Sequence, residues 1–184
     1  MPSIDTHQIF LSAHPTTQSD SIQRLEVKVA FPSPGFVTLG YTLAADMSRI
    51  RVGTEVAPGP ADDLWKHTCF EAFIQPSGSN GYYEFNFSPT RQWAVYRFDS
   101  YRKGMTPMDL SSPPDISVRK SPDQLELQTI FPLPIAPGSG AARHTRLALA
   151  AVVEEDNGRL CYWSGRHPDG KPDFHHSDSF AFEL

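Results

Sequence analysis

The sequence is poor in the residues and spacings that usually indicate metal, nucleic-acid or membrane binding. It has only two cysteines and no Cys-x-x-Cys, Cys-x-x-Cys-His or His-x-x-x-His spacing, which disfavours a zinc site and covalently attached haem. The formal net charge is -5 and no block of lysine and arginine stands out, so we expect neither nucleic acid nor a membrane surface as a partner. The longest apolar runs, such as residues 147–153, are too short to span a bilayer.

The chain also lacks the short motifs that mark common enzyme active sites. Gly-x-Ser-x-Gly, Gly-x-x-x-x-Gly-Lys and Gly-x-Gly-x-x-Gly are all absent, so we predict a protein that is not an enzyme. The N-terminal residues show no basic region followed by an apolar one. We therefore expect no signal peptide, a cytoplasmic location, and free thiols at Cys69 and Cys161.

Proline and glycine, by contrast, punctuate the whole chain. The 17 prolines and 12 glycines separate short runs rich in β-branched and aromatic residues, which is typical of an all-β sandwich. Apolar and polar side chains alternate in residues 25–31, 37–43 and 83–87, as in strands with one buried face. We predict a single β-sandwich domain of two mainly antiparallel sheets over residues 20–184, with little helix, preceded by a loosely ordered segment over residues 1–19.

The most informative segment covers residues 64–75, which we predict to form one strand. Side chains alternate along a strand, so one face would carry Trp65, His67, Cys69, Glu71 and Phe73. A large aromatic ring, an imidazole and a carboxylate on one face are typical of a concave ligand site. In the strand that follows, Glu84 and Asn86 share a face and are candidates either for the same cleft or for a solvated surface.

Three motifs resemble a known group of domains. They are residues 64–74, the sequence Tyr-Tyr-Glu-Phe-Asn-Phe-Ser-Pro at 82–89, and Trp-Ala-Val-Tyr-Arg at 93–97. Together they resemble the family 9 carbohydrate-binding modules and the wider DOMON-like superfamily that contains them. The C-terminal residues 162–180 are similar to the ending of a bacterial DOMON-like subgroup. The resemblance implies a β-sandwich with a ligand cleft on one sheet, which holds either a sugar or a haem.

For this chain the resemblance implies a non-catalytic domain that binds a saccharide or a similar polyhydroxylated small molecule. In the sugar-binding modules two tryptophans sandwich a sugar ring, and a glutamate near the first tryptophan holds its hydroxyls. Trp65 and Glu71 have that spacing, Trp163 is the natural second wall, and the sequence departs from the modules around Trp163. The candidate ligand-binding residues are therefore Trp65, Glu71, Trp163, Arg91, Arg97, Glu84 and Asn86.

Two other kinds of binding stay open on the sequence. A non-covalent haem cofactor would need axial ligands, for which the chain offers Met105, Met108, His67, His175 and His176. A protein-interaction module would instead need an exposed apolar sheet face. Residues 165–178 are rich in His and Asp, and whether they bind a metal is open; we expect a loop that borders the cleft, its imidazoles hydrogen-bonded to protein groups.

Overall fold

A computed structural model describes residues 6–134 and 145–183 of the chain. Within these residues strands account for 52% and short 3₁₀ turns for 7%. The predicted all-β class with little helix is confirmed. No helix in the described residues is long and apolar enough to cross a membrane.

Fourteen strands are described along the chain. They are β1 (Thr6–Ala13), β2 (Ile22–Ala30), β3 (Phe36–Ala45), β4 (Ile50–Arg51), β5 (Gly59–Pro60), β6 (Cys69–Gln75), β7 (Tyr82–Phe87), β8 (Gln92–Phe98), β9 (Thr106–Pro107), β10 (Asp115–Lys120), β11 (Gln124–Pro132), β12 (Arg146–Glu155), β13 (Leu160–Ser164) and β14 (Phe182–Glu183).

The strands form one curled sheet that folds into two layers joined by β1. The first layer has the order β10-β11-β3-β2-β1, and the second continues as β13-β12-β6-β7-β8-β5. Most of β1 pairs with β2, whereas Ser12 and Ala13 at its end pair with β13. The pairings among the described strands are antiparallel, apart from the short parallel pair of β5 and β8. This is the predicted sandwich of two mainly antiparallel sheets.

Apolar side chains fill the space between the layers. Every second residue of β3 is buried, as its alternating sequence predicts. Tyr41 of β3 stacks on Phe70 of β6 with ring centroids 4.9 Å apart, and its hydroxyl donates to the carbonyl of Glu71 at 2.7 Å. Each such side chain contributes about 1.5–3 kcal/mol by leaving water. The same contact fixes β6, and with it the Glu71 side chain on the opposite face.

The second layer is covered on both faces. In β6 all residues from Cys69 to Ile74 are buried, so its burial does not follow the alternation of a strand with one solvated face. A second apolar cluster covers the outer face and joins sheet residues to the C-terminal segment; it includes Phe73, Tyr82, Phe98, Phe174 and Phe180. This packing holds the C-terminal segment against the sheet and leaves an open cleft beside it.

Two predictions about the fold are wrong. The strand predicted over residues 64–75 begins only at Cys69, because Leu64–Lys66 form a 3₁₀ turn. Asp63, just before that turn, adopts the left-handed region with φ 61°, which redirects the chain. The N-terminal boundary is also wrong, since residues 6–13 form β1 and pair with strands of both layers.

Candidate ligand-binding cleft

An open cleft of about 1070 Å³ lies on the outer face of the second layer. Its floor comes from strands β6, β7, β8, β12 and β13, and its walls come from the segments before β6, around β9 and after β13. The lining residues are Asp62, Asp63, Trp65, Glu71, Glu84, Tyr96, Phe98, Arg102, Met105, Pro107, Val152, Tyr162, Lys171, Pro172, Phe174 and His175. Aromatic rings with a few placed polar groups are typical of small-molecule sites.

Two glutamates lie on neighbouring strands of the floor. Glu71 in β6 is opposite Asn86 in β7, and the Asn86 amide donates to Glu84 Oε1 at 2.8 Å. Glu71 is only 3% exposed, and its Oε1 has no hydrogen-bond partner in the described structure. A buried acceptor without a partner is costly. Glu71 is therefore the group of the cleft that a ligand donor would stabilise most.

Burial raises the pKa of both floor carboxyls. For Glu71 the loss of hydration is the larger cause, and the nearby charge of Glu84 raises its pKa further, to well above the usual range. Loss of hydration also raises the pKa of Glu84, although the hydrogen bond from Asn86 and the charge of Arg102 oppose the change. The pair therefore retains a proton at pH values where exposed glutamates are ionised, and it can present both a donor and acceptors.

One wall of the cleft is the turn that carries Trp65. Lys66 Nζ donates to the Asp63 carboxylate at 2.7 Å and lies 5.4 Å from the centroid of the indole. The Tyr96 hydroxyl donates to Asp62 Oδ1 at 2.8 Å, which ties this turn to the floor. The indole of Trp65 stays 47% exposed. A flat apolar surface is thus presented to the cleft from a turn that is held in place.

A second wall is the C-terminal segment, which borders the cleft as predicted. The Nδ1 atom of His175 is 2.8 Å from the Tyr82 hydroxyl, and its Nε2 is 3.7 Å from Glu84 Oε2. Arg102 pairs with Asp173 at 2.8 Å, and Phe174 packs against Tyr162 of β13. Burial, helped by the charge of Arg102 and opposed by that of Asp173, lowers the pKa of His175 to about 4. The imidazole is therefore neutral at physiological pH.

Four aromatic lining residues were missed by the sequence reasoning. They are Tyr96, Phe98, Tyr162 and Phe174. Tyr96 and Phe98 are two residues apart in β8, so a strand alternation places both on the face that also carries Glu84. That spacing was the available signal. For Phe174, which lies outside any strand, no comparable signal exists.

Trp163 does not form the predicted second wall. It is 7% exposed and belongs to the apolar core between the layers. The adjacent Tyr162 lines the cleft instead, because neighbouring side chains of β13 point to opposite faces. The aromatic residue of β13 that lines the cleft is therefore Tyr162, one position before the predicted Trp163.

Three further candidates also lie outside the cleft lining. Arg91, in the turn between β7 and β8, donates through Nε to the Ile116 carbonyl at 3.4 Å. Arg97 lies between Tyr96 and Phe98, so it points to the other side of β8, and it pairs with Asp99 at 3.0 Å. Asn86 is fully buried beside Glu84. The cleft thus brings together Trp65, Glu71 and Glu84, whose roles in ligand binding stay predictions.

The haem alternative meets competing contacts at its candidate ligands. Met105 and His175 both line the cleft, but both ring nitrogens of His175 face the protein groups described above. Nδ1 of His67 lies 2.7 Å from Glu154, and Nδ1 of His176 accepts from a backbone N–H at 3.2 Å. An axial bond through either nitrogen of His175 would displace a protein partner. The described contacts of His67 and His176 are at Nδ1 and would leave Nε2 for an axial bond, so the haem alternative stays a prediction. The described residues contain no group of three or more His, Cys, Asp or Glu that could hold a metal ion.

Comparisons with known proteins show likeness at the level of the fold. No protein-family model and no curated protein sequence matches the chain. Among solved structures, a proposed carbohydrate-binding protein from Bacteroides uniformis ATCC 8492 aligns with a TM-score of 0.65 and 14% identity, over 96% of this chain and 84% of its own.

Two structures of a family 9 carbohydrate-binding module from Caldicellulosiruptor kristjanssonii are also similar. The complex with cellotriose has a TM-score of 0.55 at 10% identity, over 92% of this chain and 82% of its own. The complex with glucose has a TM-score of 0.51 at 9% identity, over 91% and 76%. This chain therefore has the fold of a carbohydrate-binding module, while membership of the DOMON-like superfamily stays a prediction.

Proposed function

We propose that this chain is a non-catalytic domain that binds a saccharide in the cleft beside Trp65. The observation that carries the proposal is the exposed indole of Trp65 in one cleft with the buried carboxyls of Glu71 and Glu84. A sugar ring has an apolar C–H face and a rim of hydroxyls. An indole ring packs against the apolar C–H face, and carboxyl groups form strong, directional hydrogen bonds with the hydroxyls.

The remaining lining residues suit the same ligand. Tyr96, Tyr162 and Phe174 add aromatic surface on the floor and on the second wall. Arg102 reaches the cleft while it is held in place by Asp173 at 2.8 Å. A site whose side chains are positioned before binding loses less entropy when a ligand enters. The fold shared with modules solved with glucose and cellotriose supports the proposal.

Binding without catalysis is favoured by the placement of the two glutamates. Both project from adjacent strands of the same floor. Hydrolysis of a glycosidic bond needs one carboxyl to protonate the leaving oxygen and a second to act from the other side of the sugar. The sequence offers no other catalytic motif, so the floor pair is better suited to holding hydroxyl groups.

Calorimetric titration with a panel of mono- and oligosaccharides tests the proposal. We expect saturable binding that is weakened about fivefold or more in Trp65→Ala, on the scale of the about 1–3 kcal/mol that a nucleic-acid base gains by stacking on an aromatic side chain. Phe10→Ala is the matched control, because Phe10 is also exposed but lies on β1 in the first layer. Absence of binding at millimolar saccharide, or equal losses in both variants, would overturn the proposal.

A further inference from the structure

The cleft is lined by more negative than positive groups. Its acidic members are Asp62, Asp63, Glu71 and Glu84, and its basic members are Arg102 and Lys171. Arg102 is already paired with Asp173 at 2.8 Å, and Asp63 is paired with Lys66 at 2.7 Å. The exposed Lys171 lines the cleft from the C-terminal segment, and no ion pair of it is described. Among the described residues, Glu71 is thus the buried acidic group of the cleft without a cationic partner, while Glu84 feels the charge of Arg102.

Neither floor glutamate forms an ion pair with a charged side chain among the described residues. In the described part of the chain, no lysine, arginine or histidine forms an ion pair with Glu71. Glu84 lies 3.7 Å from His175 Nε2, but burial lowers the pKa of that imidazole to about 4 and keeps it uncharged. Buried carboxyls without a cation are unusual in folded proteins. A ligand cation would satisfy both of them.

The surroundings of the pair fit a cation as well. Aromatic ring faces attract an ammonium group electrostatically, and Trp65, Tyr96 and Tyr162 all line the cleft. An ammonium group also has three donors and no acceptor, which matches a floor whose unpartnered buried atom is the acceptor Glu71 Oε1.

We propose that the preferred ligand carries a primary ammonium group, as an amino sugar does, and that this group binds at Glu71 and Glu84. The inference rests on the proposed saccharide function and narrows it to a charged class. A neutral saccharide would leave the two carboxyls to share a proton, whereas an ammonium group would allow both to ionise and would pair with them.

If an ammonium group binds at Glu71 and Glu84, binding should release a proton from this pair. Two glutamates with only a structural role would release none. Below the raised pKa of the pair the free protein holds a proton there, and binding of an ammonium group should release it. Of the other buried titratable groups nearby, the thiol and phenols stay protonated because burial raises their pKa values: Cys69, Tyr41, Tyr82, Tyr96 and Tyr162. Burial lowers the pKa of His175 to about 4 and keeps it neutral, and the charged Arg102 and Asp63 are held in ion pairs with Asp173 and Lys66. Released protons are therefore assigned to the glutamate pair.

The test is calorimetric titration of the whole chain with D-glucosamine and 6-amino-6-deoxy-D-glucose, each compared with its N-acetyl derivative and with D-glucose. At about pH 6.5, where a primary amine is charged, we expect at least one amino sugar to bind about tenfold or more tightly than its acetylated form. The ratio should fall towards one in Glu71→Gln and Glu84→Gln. Glu26→Gln, at a buried glutamate of β2 in the first layer, should keep the ratio.

Titrations in buffers of different ionisation enthalpy measure the protons released on binding. Titration with cyclohexylamine, an ammonium compound that is not a sugar, distinguishes the ammonium site from the saccharide function. Equal affinity for glucose and both amino sugars would overturn the ammonium inference and leave the saccharide function standing. Binding of cyclohexylamine without any sugar would overturn the saccharide function and leave the cation site. Failure of every probe would overturn both.

Discussion

His175 should make the fold sensitive to acid over a defined pH range. Its imidazole is buried between Tyr82, Glu84 and the C-terminal segment, with 15% of the side chain exposed. Burial lowers the pKa of His175 from 6.5 to about 4 in the folded protein. Between these values the unfolded chain binds the proton and the folded chain does not. Stability from the neutral imidazole is thus complete above about pH 6.5 and is lost as the pH falls towards 4.

The size of this effect follows from the two pKa values. A fall from 6.5 to about 4 corresponds to roughly 3 kcal/mol of unfolding free energy. The side chain is mostly shielded from solvent, so screening by water should reduce this figure only modestly. Glu71 and Glu84 act with the opposite sign, because their raised pKa values favour the folded protein as the pH falls. A comparison with a variant is needed to separate the two effects.

Urea unfolding of the unmodified protein and of His175→Gln, at intervals from about pH 7 to pH 4, measures the effect of the imidazole. Glutamine does not titrate, so the glutamates contribute to both proteins and largely cancel in the difference. We expect the advantage of the unmodified protein to shrink by roughly 3 kcal/mol over this range. Tyr82→Phe should lower stability at pH 7 yet keep the pH dependence, since the imidazole remains. A difference between His175→Gln and the unmodified protein that does not change with pH would refute the reasoning.

Three further outcomes are expected. Phe174→Ala should lower the free energy of unfolding, measured with urea, by about 3 kcal/mol, because the ring is only 8% exposed. Phe10→Ala, at an exposed residue, should change it by less than about 0.5 kcal/mol. Equal effects of the two substitutions would contradict the packing of the C-terminal segment. Glu71→Gln should raise the melting temperature at about pH 8 and not at about pH 4, since its raised pKa costs stability only where the carboxyl must ionise; a gain at both would contradict this. Trp163→Phe should lower stability by about 1–2 kcal/mol and leave saccharide affinity unchanged, and a loss of affinity would restore Trp163 to the site.

The fold could be predicted from the sequence wherever a strand has one covered face. In β3 the alternation of apolar and polar residues matches the burial observed. The same rule failed before β6, where an unbroken alternation was continued through residues 64–68. There the left-handed backbone of Asp63 and the 3₁₀ turn after it delay the start of the strand to Cys69. Hydrophobic periodicity does not detect either feature.

The candidate site was predicted in part for a related reason. Trp65 and Glu71 do meet in one cleft, but Trp65 arrives there from a turn and not from the face of a strand. Both faces of the second layer are covered, so burial and residue type cannot tell which face holds the cleft. The resemblance to modules with two tryptophans predicted Trp163 as the second wall, although its neighbour Tyr162 occupies the cleft face. His175 reaches the cleft because the C-terminal segment packs against β7, where His175 contacts Tyr82 and Glu84. No local sequence pattern predicts such a long-range contact.

The indole N–H signals of the three tryptophans give the most direct test of where the ligand binds. In a two-dimensional ¹H–¹⁵N spectrum each indole has its own resonance, which substitution to Phe assigns. On titration with a saccharide that binds, we expect a large, saturable shift of the Trp65 signal and little change in that of the core residue Trp163. A shift confined to Trp163 or Trp93, or binding that leaves Trp65 unmoved, would contradict the account.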